Sequence, residues 1–215
     1  MELTPIAYWL NTSLAGFDES VTAGIHKIYD LAGGIMTPFL SFISLLGKGG
    51  IFLIVLSLAL LIIKKTRRFG TAMILGLIFG VLFVNVFLKV VIARPRPYLD
   101  TEGFYYPLWL IMGQHTESDM CFPSGHTNAA FAAMVPLFIL GNKKTSWLAL
   151  VFGILMGISR IYLVVHYPTD VIGGFITGTI AGMIGTLIAI NLPRKWYRWV
   201  LFKKAKVKEC SDLAS

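Results

Sequence analysis

From residue 51 to residue 63 the chain carries no charge, and longer apolar stretches follow at 71–92, 124–140, 146–165 and 169–192. Several approach the roughly 20 residues that cross a bilayer as a helix. In lipid, backbone N–H and C=O groups must be satisfied inside the protein, which for segments of this length means helices. The whole chain is 56% hydrophobic with a mean hydropathy of +0.73, more apolar than an ordinary soluble domain. The fold expected is therefore all-α and polytopic. It comprises six transmembrane helices and a short N-terminal amphipathic helix in one membrane-embedded domain over residues 1–215.

Residues 1–20 lack the basic-then-apolar order of a cleavable signal. They are expected to lie at the membrane interface, with Tyr8 and Trp9 as anchors. The first span is placed at about 24–46, with a kink at Pro38. Gly47, Gly49 and Gly50 make a tight turn around Lys48. The second span is 51–63 and the third about 71–92. The 93–122 loop carries Asp100, Glu102, Glu117 and Asp119, and its aromatic stretch FYYPLWLIM is expected to return to the interface. The fourth, fifth and sixth spans are 124–140, about 146–165 and about 169–192. The small residues of the sixth, Gly173, Gly174, Gly178, Ala181, Gly182 and Gly185, let helices approach closely.

Net charge is +8. In a soluble protein this would point to nucleic acid; beside apolar spans it reads as topology, and no nucleic-acid partner is expected. Six spans put both termini on one side. Of the 19 Lys and Arg residues, thirteen then share that side: four at 64–68, two at 142–145 and seven in the 194–215 tail. The termini are therefore expected in the cytoplasm, with the 93–122 loop outside. Cys121 and Cys210 fall on opposite faces and cannot pair with each other.

Three polar clusters converge on that outer face. Lys89 and Arg96, in KVVIARPRP, lie about two helical turns apart, and Pro95 and Pro97 stiffen the backbone round Arg96. Arginine offers a planar fork to phosphate oxygens and lysine a point charge. Arg94 reads instead as a side chain snorkelling to headgroups. In PSGH, Ser124 is placed as the N-cap of the fourth span, with Gly125 and His126 in its first turn. Free N–H groups and the helix dipole favour an anion there. Gly125 permits close approach to the backbone, and His126 stands where it could protonate a leaving group. In SRIYLVVHYPTD, Arg160 precedes His166 by six residues and Asp170 follows it by four. Asp170 could hold one ring nitrogen of His166 and leave the other free to attack. His126, His166 and Asp170 would also be an acceptable metal-ligand set, but Lys89, Arg96 and Arg160 would repel a cation. A positive site with two histidines suits a phosphoryl group.

The three motifs together, lysine-six residues-Arg-Pro, PSGH, and Ser-Arg-five residues-His-three residues-Asp, resemble the signature of the type 2 phosphatidic acid phosphatase family of membrane lipid phosphatases. The resemblance implies catalytic His166, forming a phosphohistidine intermediate, with Asp170 orienting it and His126 protonating the leaving oxygen. It implies phosphate binding by Lys89, Arg96, Ser124, Gly125 and Arg160, and no metal or other cofactor. It further implies a bacterial cytoplasmic-membrane enzyme whose partner is its membrane phospholipid or polyprenyl phosphate substrate. Phosphatidylglycerol phosphate is the first substrate expected, undecaprenyl diphosphate the alternative, then phosphatidate and diacylglycerol pyrophosphate. The rivals weighed are an anion transporter, a phosphate-transfer enzyme and a vanadate-dependent haloperoxidase. The first lacks evident repeats or paired broken helices, and the last is soluble.

Overall fold

A computed structural model describes residues 3–193. The basic tail expected at 194–215, with Cys210, lies outside the described residues. Within them the architecture is helical.

Thr4 caps α1 (Pro5–Ser13) by accepting from the Ala7 N–H, and Pro5 occupies the first turn, where a missing N–H costs nothing. Tyr8 and Trp9 are exposed on it. α2 (Ala15–Gly47) starts well before the expected span. Its break falls at Ala32 (φ −149°, ψ 25°) rather than at Pro38. The Gly33–Gly34 pair lets the turn upstream of the proline yield, while Pro38 itself sits in regular helix. The turn to α3 (Ile51–Ile62) uses Gly49 and Gly50 at φ 61° and 67°, where a Cβ would be strained.

α4 (Arg67–Val81) continues through a π-helical segment, Leu82–Leu88, into α5 (Lys89–Ile92). The wider turns break the 3.6-residue register just before Lys89. α6 (Tyr105–Ile111) carries the aromatic stretch. Tyr98 stacks on Trp109 with centroids 4.9 Å apart, and Tyr105 meets the Tyr167 ring edge-on at 5.0 Å. The patch therefore packs over the turn that bears His166, in one apolar cluster with Leu40, Tyr162 and Leu163. α7 (Gly125–Leu140) and α8 (Trp147–Tyr162) follow. α8 ends three residues before the expected 165, because the chain turns out of helix and Val164 adopts φ 55°. α9 (Pro168–Asn191) closes the described bundle.

α7 is the axis. Residues 127–136 are buried on every side, as expected for a helix without a polar face. Glycines bring α9 against it: a Cβ at Gly178 would lie 2.4 Å from the Asn128 carbonyl, and one at Gly174 would lie 2.6 Å from that of Ser124. Gly185 approaches the Ala72 carbonyl of α4 in the same way. The small-residue stripe thus lets three helices meet at backbone distance. The outer surface is apolar: Val55, Leu58, Phe83, Phe87, Ile176, Ile180, Met183 and Leu187 are all exposed. A patch of this extent belongs against lipid. Among the described residues three stretches are long and apolar enough to cross a membrane, Ala15–Ile62 (which contains α2 and α3), Arg67–Leu99 and Pro168–Asn191. α7 and α8 are shorter apolar helices.

Candidate active site

His166 is carried by the turn between α8 and α9. The left-handed backbone at Val164, costly for a β-branched residue at about 1–3 kcal/mol, lets the Val165 N–H reach back to the Arg160 carbonyl at 3.2 Å. Strain of this kind needs an over-determined surrounding, and Val165 and His166 are indeed buried. Pro168 then opens α9 and puts Asp170 in its first turn. Asp170 Oδ2 accepts from the Tyr167 N–H at 2.9 Å and lies 3.3 Å from His166 Nδ1. On the other edge of the ring, Arg96 Nη1 lies 3.0 Å from Nε2. A guanidinium can only donate and an ionised carboxylate can only accept. The network therefore assigns the proton to Nδ1 and the lone pair to Nε2. Burial and the surrounding cations Arg96, Arg160 and Lys89 hold His166 well below its ordinary pKa, in the neutral form.

Ser124 is the N-cap of α7. Its Oγ accepts from Thr127 Oγ1 at 3.0 Å and from the Thr127 N–H at 3.4 Å, while its own N–H donates to the Asp170 carbonyl at 2.9 Å. One hydrogen bond thus ties the start of α7 to the start of α9. Lys89 follows the π-helical segment as the first residue of α5. A Cβ at Gly125 would lie 3.4 Å from its Nζ, so a larger residue would crowd the lysine. Arg96 donates to the Val165 carbonyl at 2.8 Å and the Asp119 carbonyl at 3.0 Å.

Lys89, Arg96, Gly125, His126 and His166 line one cavity of about 530 Å³. Ser124, Asp170 and Arg160 stand behind its wall. Arg160 is almost wholly buried, donates to Ser44 Oγ of α2, and reaches the cavity through Glu117. All eight sequence-predicted residues are thus brought to one end of the bundle, five on the cavity and three supporting it.

Glu117 and Asp119 were legible only as loop acids. In the structure Asp119 pairs with both Lys89 and Arg96, and Glu117 pairs with Arg160. Burial would raise Asp119, but Lys89 and Arg96 outweigh it and hold the carboxyl below its ordinary range. Arg94 is a correction: it does not snorkel but is fully buried. Left-handed Ala93 (φ 48°) ends α5 and takes the following arginine out of the helix line toward α9.

Cys121, His166 and Asp170 bring metal-ligand atom types within 4.8 Å of one another. The set fits a metal poorly. Arg94 and Arg96 already bond Asp170 and His166. The Cys121 thiol, raised well above its ordinary pKa by burial and by Asp170, stays protonated and donates to Asp170 Oδ2 at 2.8 Å. Metal ligation needs the thiolate.

Comparison with known proteins places the chain in a family. The model of the PAP2 superfamily matches residues 65–194. The chain is 30% identical to an undecaprenyl-diphosphatase of Sulfolobus acidocaldarius over 72% of its own length and 71% of that protein's. It is 35% identical to phosphatidylglycerophosphatase B of Bacillus subtilis over 52% of this chain and 55% of the other. Among solved structures, a PAP2-type phosphatidylglycerolphosphate phosphatase from Bacillus subtilis superposes with a TM-score of 0.67 and 27% identity, covering 88% of this chain and 92% of that one.

Proposed function

The chain belongs to the PAP2 superfamily and is a membrane lipid phosphatase, and on that premise we propose that it hydrolyses phosphatidylglycerol phosphate through a phosphohistidine at His166. The observation that carries this reading is the His166 ring, with Nδ1 on Asp170 and an unprotonated Nε2 directed to the cation side. As the incoming phosphate takes the Arg96 guanidinium off Nε2, Nε2 attacks phosphorus, the P–O bond to the lipid alcohol breaks, and His126 gives the leaving oxygen its proton. His126 then takes a proton from water, whose oxygen attacks the phosphohistidine; the P–N bond breaks and phosphate leaves. Lys89, Arg96 and the α7 N-terminus at Gly125 spread the charge on the phosphoryl oxygens, and Ser124 and Arg160 support them from behind the cavity wall. Asp170 keeps the imidazole in the attacking tautomer. No metal is needed in this scheme.

Undecaprenyl diphosphate is the second reading, favoured by the relative named for that activity, which aligns over 72% of this chain. The motif residues meet only phosphate, so the cavity walls choose between the two lipids. Six spans, cytoplasmic termini and an outward-facing site complete the proposal, supported by the distribution of Lys and Arg.

Phosphate release from a panel of lipid phosphates, by purified protein in EDTA, tests the mechanism. Wild type should turn over, and His166→Ala should lose at least about a thousandfold in kcat. Activity that survives in the variant rejects His166 as nucleophile. The ratio of kcat/KM values for phosphatidylglycerol phosphate and undecaprenyl diphosphate ranks the two readings.

A further inference from the structure

Arg94 takes no part in the chemistry above, yet it is among the largest fully buried side chains. Four of its five N–H donors are satisfied. Nε donates to Asn11 Oδ1 at 2.7 Å, Nη1 to Asp170 Oδ1 at 2.7 Å and Thr169 Oγ1 at 2.8 Å, and Nη2 to Asp18 Oδ2 at 3.0 Å. The guanidinium lies 3.7 Å from the centre of the Tyr167 ring. Asp18, on α2, is equally buried. Its Oδ1 accepts from the Thr169 N–H at 2.8 Å and its Oδ2 from the Thr169 hydroxyl at 2.8 Å. One cation therefore lies between two carboxylates, and only one of those carboxylates touches His166.

Asp170 is held on both oxygens, but unequally. Oδ2 is shared by the Tyr167 N–H, the Cys121 thiol and His166 Nδ1, the last at a long 3.3 Å. Oδ1 has a single charged partner, Arg94. Without it the carboxylate could rotate to improve its other contacts, and Nδ1 of His166 would lose its acceptor. A buried carboxylate also needs a compensating charge to stay ionised. Lysine could replace the fork only in part, because four acceptors on three elements must be met at once.

We propose that Arg94 and Asp18 are positioning residues for the reaction: Arg94 clamps Asp170 Oδ1 so that Oδ2 faces His166, and Asp18 holds Arg94 in place. The N-terminal helical segment is thereby part of the catalytic apparatus. This rests on the reading of His166 and Asp170 as the reacting pair, and the test separates the two claims.

The full chain in detergent micelles is assayed with p-nitrophenyl phosphate and with phosphatidylglycerol phosphate, for wild type, Asp170→Asn, Asp18→Asn, Arg94→Gln, Arg94→Lys and the double variants with Asp170→Asn. Asp18→Asn keeps the shape of the side chain and loses its charge. It should lower kcat about tenfold and change KM less than about twofold. Arg94→Gln should cost about a hundredfold in kcat, with partial recovery in Arg94→Lys. In the Asp170→Asn background either change should add less than about twofold, because residues acting through one another are not additive. Losses that multiply in the double variants, or that fall on KM, overturn the proposal, since a packing or binding role would act independently of Asp170. If Asp170→Asn itself costs little, the His166–Asp170 reading fails and this inference with it. Should Arg94→Gln not yield folded protein, the Asp18→Asn cycle decides alone.

Discussion

At His166, neighbours on opposite edges of one ring set its chemistry: a carboxylate on Nδ1 and a guanidinium on Nε2. The low pKa that burial and the cations impose has a kinetic consequence. On the proposed mechanism the attacking form is neutral, so kcat/KM should hold as pH falls through about 6.5, where an ordinary histidine protonates. It should decline only at lower pH. Arg96→Gln removes one of those cations, so its acid limb should move up; a limb that stays put would mean another group sets it. His126 carries a different prediction. His126→Ala should lower turnover of lipid alcohol esters about a hundredfold or more, as loss of a general acid does. It should affect p-nitrophenyl phosphate much less, because that leaving group departs without a proton. Equal losses would remove the acid role. That these two histidines, Asp170, Ser124 and the three cations gather at one end of the bundle was readable because their spacing is short-range and tied to helix ends. Arg94 was misread, and Glu117 and Asp119 were missed as partners. The contacts of Arg94 with Asp18 and Asp170, 76 residues away on either side, leave no local pattern.

The helices were legible from apolar length, and their irregularities were not. The break at Ala32, the π-helical Leu82–Leu88 and the early end of α8 depend on packing that single-segment hydropathy does not contain. The glycine stripe of α9 was readable as close approach, and the structure supplies its partners. Gly178→Ala should force α9 from the Asn128 carbonyl and cost about 1–3 kcal/mol, seen as a lower Tm in detergent. Gly16→Ala, with nothing within 4 Å of its Cβ, should not destabilise. The 93–122 loop presents its own test. With Asp119 on Lys89 and Arg96, an incoming phosphate must exchange with a resident carboxylate. Asp119→Asn should therefore let inorganic phosphate inhibit at about threefold lower concentration; the gain is modest because the carboxylate is half exposed. An unchanged or weaker inhibition constant would argue that Asp119 is no competitor.

For the whole molecule, the orientation proposed above is open to a labelling test. In a Cys210→Ser background, where Cys121 is buried, Glu102→Cys should react with a membrane-impermeant maleimide in intact cells. Lys144→Cys should react only after permeabilisation; the reverse pattern inverts the topology. The bond from the Thr169 N–H to Asp18 spans 151 residues, and that separation bears on biogenesis. Asp18 and Arg94 emerge from the ribosome long before Thr169 and Asp170. Until α9 inserts, their charges lack half of the shell that offsets their desolvation, and the early hairpins have reason to keep them at the water boundary. On the proposed mechanism α9 thus does two things on arrival: it buries the early charges and delivers the carboxylate that orients His166. No shorter nascent intermediate holds a finished site, so phosphatase activity reports completed insertion of the bundle.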